Sequence, residues 1–309
     1  MTRDAVDLSV TLGKIKLKNP VMPASGTFGY GDEFAPFLDL NDLGAVIVKG
    51  TGLKPRMGSF QHRFVEIPGG GLCTVGLQGV GVDRFIKEKL PYLRQFSTPV
   101  IVNIIGESVD DFARVTEILN RAEGVAGLEI NISCPNVKKG GMQFGVDPDA
   151  TFEAVKAVRN NTDLTVIAKL TPNVTDITIF AKACEEAGAD AISLINGLVG
   201  MGIDINTRRS KLGKNLQAGI MGPCLKPIAL RLVYLVVKAV NIPVVGVGGI
   251  TGAEDALEFF IAGATAIEIG TYNLIDPKVM IKTIEGIRQY LADNGINNIN
   301  DIIGSFVLS

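Results

Sequence analysis

The chain has no tryptophan, one histidine and four cysteines among 309 residues. A single histidine excludes multi-histidine metal sites and leaves little room for histidine-based acid–base chemistry. That residue, His62, sits in a polar stretch, QHRF, which predicts a surface position. Cys73, Cys134, Cys184 and Cys224 are far apart and form no CxxC pair. This pattern argues for free thiols in a reducing compartment and against a metal site. No apolar run approaches the roughly 18 residues that a membrane span needs. The opening MTRDAVDLSV carries charges where a signal peptide would need an apolar core. A cytoplasmic protein is therefore expected. An excess of one charge is lacking too. The 30 Lys and Arg are scattered among 32 Asp and Glu for a net charge of −2, so there is no basic field to hold nucleic acid.

Apolar residues, by contrast, make up 47% of the chain, enough for a large core. They recur as short β-rich runs: NPVMPAS (19–25), AVIVKG (45–50), PVIVNIIG (99–106), LEINIS (128–133), LTVIAKL (164–170), AISLIN (191–196), IPVVGVGG (242–249) and TAIEIG (265–270). Stretches of helical period lie between most of them, such as DDFARVTEILNRA (110–122) and DITIFAKACEEAGA (176–189). Continuous apolar strands alternating with helices predict a parallel sheet covered by helices. About eight such units in a chain of this length predict an α/β fold closed as a (β/α)8 TIM barrel. The whole chain, 1–309, reads as one domain. An alternating segment with a Gly turn, DLSVTLGKIKLKNP (7–20), predicts an N-terminal β-hairpin under the barrel. Two long connections, from Thr51 to about Asp83 and from Gly197 to about Gly222, follow strands. They belong on the C-terminal face, where barrel enzymes keep their chemistry.

Three groups of residues carry chemistry. Cys134 follows a strand in NISCPNVKKGG (131–141), with Asn131, Ser133 and Asn136 beside it. Two readings stand: a thiolate base for a carbon acid, or a small buried apolar residue. Lys49 in IVKGT and Lys169 in IAKLTP sit at the ends of apolar strands. Burying a lysine there demands a partner, which an anionic ligand or an electron-accepting ring supplies; the alternative is snorkelling to the rim. The turns GVGGITGAED (246–255) and IGTYN (269–273) follow the last two strands. Barrels commonly bind phosphate there, on backbone N–H groups near a helix start.

Taken together, NPVMPASGTFGYGDEF (19–34), GAVIVKGT (44–51), NISCPN (131–136), KLTPNVTDI (169–177), LKPIALRLVY (225–234) and VGGITGAEDALEF (247–259) resemble the family 1B dihydroorotate dehydrogenases, specifically their FMN-bearing catalytic subunit. The resemblance covers essentially the whole chain. It implies oxidation of dihydroorotate to orotate in pyrimidine biosynthesis, with Cys134 as the base and hydride passing to FMN. Lys49 would touch both flavin and substrate, and Lys169 would face the flavin N1 side. Ala24, Ser25, Gly26, Thr51, Asn103, Asn131 and Ile195 would contact the flavin. Gly222, Gly248, Gly249, Gly270 and Thr271 would hold its ribityl and phosphate groups. Asn131, Asn136 and Asn196 would bind the pyrimidine and its carboxylate, with Cys73 and Gly197 at further substrate positions. The resemblance also implies a homodimer core and a partner subunit with FAD and an iron–sulfur centre. No membrane or nucleic-acid partner is expected.

Departures from the family pattern cluster. Where the family shows a stretch like LNAIGLQNPG, residues 72–81 read LCTVGLQGVG, so Cys73 and Gly79 replace asparagines. Gly197 stands where the family has threonine or serine, Ala218-Gly219 where it has a glycine pair, and Met221 where it has serine. Either ordered water replaces the lost contacts, or the chain is a diverged FMN-dependent reductase or dehydrogenase with a less polar substrate.

Overall fold

The eight β-rich runs become eight parallel strands because each is buried on both faces, against the barrel interior and against a helix. In the computed structural model, which describes residues 6–132 and 144–308, a hairpin β1 (Val10–Leu12) and β2 (Ile15–Leu17) comes first. The barrel strands then begin with β3 (Val21–Pro23) and β4 (Val46–Thr51). Between β4 and the third barrel strand lie β5 (Phe64–Ile67), β6 (Gly70–Cys73) and the short helices α1 (Val82–Arg84) and α2 (Leu90–Leu93). Next come β7 (Val100–Ile104), α3 (Val109–Asn120), β8 (Val125–Asn131), α4 (Pro148–Arg159), β9 (Thr165–Leu170), α5 (Ile177–Glu186) and β10 (Ala191–Leu194). Four short strands follow: β11 (Leu198–Gly200), β12 (Ile203–Asp204), β13 (Arg209–Ser210) and β14 (Ala218–Met221). The chain closes with α6 (Lys226–Val237), β15 (Val244–Val247), α7 (Ala253–Ala262), β16 (Ala266–Ile269) and α8 (Val279–Asp293).

The barrel sheet runs β3-β16-β15-β10-β9-β8-β7-β4. The two ends of that order meet where Gly44 N–H donates to Val21 O at 3.0 Å, so the sheet is a nearly closed TIM barrel. Local chemistry marks the helix starts. Ser108, Asp147 and Asp176 cap α3, α4 and α5 by accepting from N–H groups two or three residues on. Gly263 ends α7 in the left-handed region, at φ +112°, which only glycine adopts cheaply. The opening hairpin lies at the barrel bottom: Lys14 N–H donates to Thr165 Oγ1, at the start of β9, at 2.9 Å.

The two long connections are structured and meet one another. β5 and β6 come from the first, β11 and β14 from the second, and they form one antiparallel sheet in the order β11-β14-β6-β5. Cys73 stands opposite Gly219 in it. This lid follows the C-terminal ends of β4 and β10, so it overlies the mouth of the barrel.

Candidate active site at the mouth of the barrel

A cavity of about 910 Å³ opens where the lid meets the C-terminal ends of the strands. Its floor is amide and ammonium. Asn131 and Lys169 stand level on adjacent strands, at the ends of β8 and β9. Asn196, just past β10, donates from Nδ2 to Asn131 Oδ1 at 3.2 Å. All three line the cavity, together with Ile195, Gly197 and Cys73. Burial pushes the Cys73 thiol above its ordinary pKa, so it is a neutral thiol and not a nucleophile at neutral pH.

The far wall is glycine. Ala24, Ser25 and Gly26 follow β3, Gly222 follows β14, Gly248 and Gly249 follow β15, and Gly270 and Thr271 follow β16; all line the same cavity. Gly249 has φ +75°, and a Cβ there would lie 2.4 Å from Lys226 N at the start of α6. A Cβ on Gly26 would meet nothing within 4 Å, and one on Gly270 only Ala24 and Thr27 at ordinary contact distance. Backbone thus borders open space along one side of the cavity, as a phosphate-tailed planar ligand requires. The residues present fit a flavin mononucleotide: a glycine cradle for the tail, an apolar and amide-lined chamber for the ring, and a cation at its floor.

Beneath that floor lies an ion cluster that the sequence reading missed. Lys169 Nζ donates to Glu129 Oε1 at 3.0 Å and to Glu268 Oε2 at 2.5 Å. Asn103 Nδ2 donates to Glu129 Oε2 at 2.5 Å, and Ser193 Oγ donates to Glu129 Oε1 at 2.9 Å. Burial acts against both carboxylates. The Lys169 ammonium nevertheless holds Glu129 below its ordinary range, while burial and the neighbouring Glu129 push Glu268 well up. The signal was available: Glu129 in LEINIS and Glu268 in AIEIG are carboxylates inside apolar strands, as Lys169 is an ammonium inside one.

Three expected contacts are placed elsewhere. Asn103 is buried and not among the described residues lining the cavity, and its Nδ2 donates to Glu129. Thr51 is fully buried and donates from Oγ1 to Lys49 O. Lys49 is half-buried on β4 and is not among the described residues lining the cavity. Cys134 and Asn136 lie outside the described residues. His62 is exposed, and among the described residues no group of three or more His, Cys, Asp and Glu is placed to hold a metal ion. No helix among them is long and apolar enough to cross a membrane.

Asn173 was also missed. Its Nδ2 donates to Gly197 O at 3.1 Å and its Oδ1 accepts from Val199 N at 2.8 Å, tying the turn after β9 to the lid. The departures noted in the sequence have a packing logic there. A Cβ on Gly197 would lie 2.9 Å from Gly219 Cα, so these two glycines allow backbone-to-backbone contact between the loop after β10 and β14.

The dihydroorotate dehydrogenase family model matches residues 7–291. The dihydroorotate dehydrogenase B (NAD(+)) catalytic subunit of Geotalea uraniireducens (strain Rf4) is 52% identical over 301 residues, 97% of this chain and 98% of that one. The protein of the same name from Thermoanaerobacter sp. (strain X514) is 54% identical over 300 residues, 97% and 99% of the two chains. Among solved structures, DHODH from Eimeria tenella in complex with ferulenol superimposes with a TM-score of 0.80 at 22% identity, covering 97% of this chain and 88% of that one. This last likeness is one of fold.

Proposed function

The chain belongs to the dihydroorotate dehydrogenase family, and from that premise we propose that it is an FMN-bearing catalytic subunit that oxidises dihydroorotate to orotate in pyrimidine biosynthesis. The observation that carries this reading is the convergence of Asn131, Lys169 and Asn196 on one cavity with the glycine turns at 248–249 and 270–271. FMN, when bound, supplies a two-electron acceptor for the substrate's hydride. The protein's own groups do the rest. The glycine turns hold the phosphate and ribityl groups, with backbone N–H groups as donors. Lys169 would offer positive charge to a ring bound in the cavity that it lines. Asn131 and Asn196, with Asn136, pair with the substrate's polar edge and fix its face against the ring. Cys134, three residues beyond Asn131, takes the proton from the substrate's C5.

The relatives are catalytic subunits by name, which implies a partner subunit. We assign that partner FAD and an iron–sulfur centre, which pass electrons onward to NAD, and assign this chain a homodimeric core in the cytoplasm. Nothing in the site favours the less polar substrate over dihydroorotate.

Anaerobic mixing of the FMN-loaded protein with dihydroorotate tests the reading. The flavin absorbance should bleach rapidly in the native protein. Cys134→Ala should slow bleaching by about 100- to 10,000-fold, the usual worth of a positioned base. Native protein that stays yellow in excess dihydroorotate overturns the assignment.

A further inference from the structure

Glu129, Lys169 and Glu268 are sealed inside the barrel, their side chains 0%, 6% and 1% exposed. The two carboxyl groups are not equally provided for. Glu129 accepts from Lys169, Asn103 and Ser193. Glu268 accepts from Lys169 through Oε2, while its Oε1 is buried with no donor facing it. An ionised carboxylate left half-satisfied in a dry interior is costly. Both carboxyl groups are gathered on the one ammonium, Glu129 Oε1 at 3.0 Å and Glu268 Oε2 at 2.5 Å from Lys169 Nζ. Ionised carboxylates only accept, so a proton on one of them is what lets it act as a donor within the cluster. Among the described residues, Glu129 on β8 and Lys169 on β9 are the charged groups that act on Glu268, and the neighbouring strands β3, β10 and β15 carry no titratable residue. Two ionised carboxylates would leave the cluster with a net negative charge, whereas one proton makes it neutral.

We propose that Glu268 is held as the neutral acid, accepting from Lys169 and donating to Glu129, and is a positioning residue that leaves Lys169 balanced by one carboxylate instead of two. In that state Lys169 presents usable positive charge to the cavity it lines. With Glu268 ionised, the floor would oppose negative charge arriving in the cavity. The purpose of the device rests on the flavin reading above; the proton on Glu268 does not.

Glu268→Gln replaces the acid by a neutral group of the same shape, and three measurements read the difference. In the infrared spectrum of the flavin-free protein at neutral pH, the carbonyl stretch of a protonated carboxyl should be present in the native chain and absent in Glu268→Gln. It should vanish in Glu129→Gln too, because Glu268 is then the carboxylate left against the Lys169 ammonium and ionises. The band should also disappear from the native protein as pH is raised, a result that needs no variant to fold. In unfolding experiments the sign follows from the upward shift. A carboxyl whose folded pKa is raised stabilises fully below its unfolded pKa and loses that contribution as pH rises towards its folded value. The melting temperature of the native chain should therefore fall relative to Glu268→Gln as pH rises above the ordinary glutamate range. In the FMN-loaded protein, Glu268→Gln should leave the flavin midpoint potential unchanged at neutral pH. At alkaline pH the native potential should drop below that of the variant. A native spectrum with no protonated-carboxyl band removed by Glu268→Gln overturns the proposal, as does a potential raised by the variant at neutral pH. If the protein takes up no flavin, the infrared and melting measurements still decide the state of Glu268, and only the function proposed above falls.

Discussion

Removing the ammonium of Lys169 would leave two carboxyl groups inside the barrel with no cation between them. Breaking a buried pair by deleting one partner typically costs about 3–5 kcal/mol, because the remaining charge is neither solvated nor paired. Lys169→Met should therefore be destabilised by about that amount at neutral pH in chemical denaturation. The deficit should depend on pH in a definite direction. Without the lysine, both carboxyl groups are harder to ionise in the folded state than in the unfolded chain. Their contribution is then retained at low pH and lost as pH rises, so the gap between variant and native protein should narrow on acidification. A deficit that stays constant from acid to neutral pH would mean that the lost packing of the lysine stem dominates. The residue scale is also where the sequence reading was least complete. It identified Lys169 by asking what pays for an ammonium in an apolar strand, but did not ask the same of Glu129 and Glu268. Two neighbouring strands, β8 and β9, meet β16 at that one point, and only closure of the sheet brings β16 across from them.

At the scale of elements, the barrel strands were legible because both their faces are buried, leaving runs of Val, Ile and Ala that no surface element would carry. The lid was not. β6 reads GGLC and β14 AGIM, short segments rich in glycine, and such pieces form strands only when another chain segment pairs with them. Their pairing joins parts of the chain about 150 residues apart, a relation without local signal. The glycine turn after β15 was legible by its place, and its geometry gives a sharp test. Gly249 has φ +75°, and a Cβ there would strike Lys226 N at 2.4 Å, so Gly249→Ala must displace either the turn or the start of α6. The left-handed backbone alone costs an alanine about 1–2 kcal/mol. Gly252→Ala is the control, since a Cβ there meets nothing within 4 Å. Fluorescence titration with FMN should show affinity at least about ten-fold weaker for Gly249→Ala, equivalent to about 1.4 kcal/mol, and unchanged for Gly252→Ala. Equal affinities for both variants would remove the 248–249 turn from the proposed phosphate cradle.

For the molecule as a whole, the cavity draws on both ends of the chain. Ala24–Gly26 follow the first barrel strand and Gly270–Thr271 the last, and these strands are hydrogen-bonded neighbours, with Ile267 N–H donating to Pro20 O at 2.8 Å and Ala24 N–H to Ile269 O at 2.9 Å. A ligand lying across these segments binds only the closed barrel, so its binding free energy adds to folding stability. At 100 times its dissociation constant, FMN should contribute about 2.7 kcal/mol. For a chain of this size that corresponds to a rise of about 4 °C in melting temperature. The gain should be concentrated where the ligand bridges the seam. Amide hydrogen exchange should slow in β3 and β16 on saturation with FMN, because their opening then requires release of the ligand. The β12–β13 hairpin, whose residues do not line the cavity, should exchange at an unchanged rate. A uniform slowing that includes this hairpin would point to a general effect on the lid and not to a clamp across the seam. No rise in melting temperature at saturating FMN would show that the cavity does not take the cofactor.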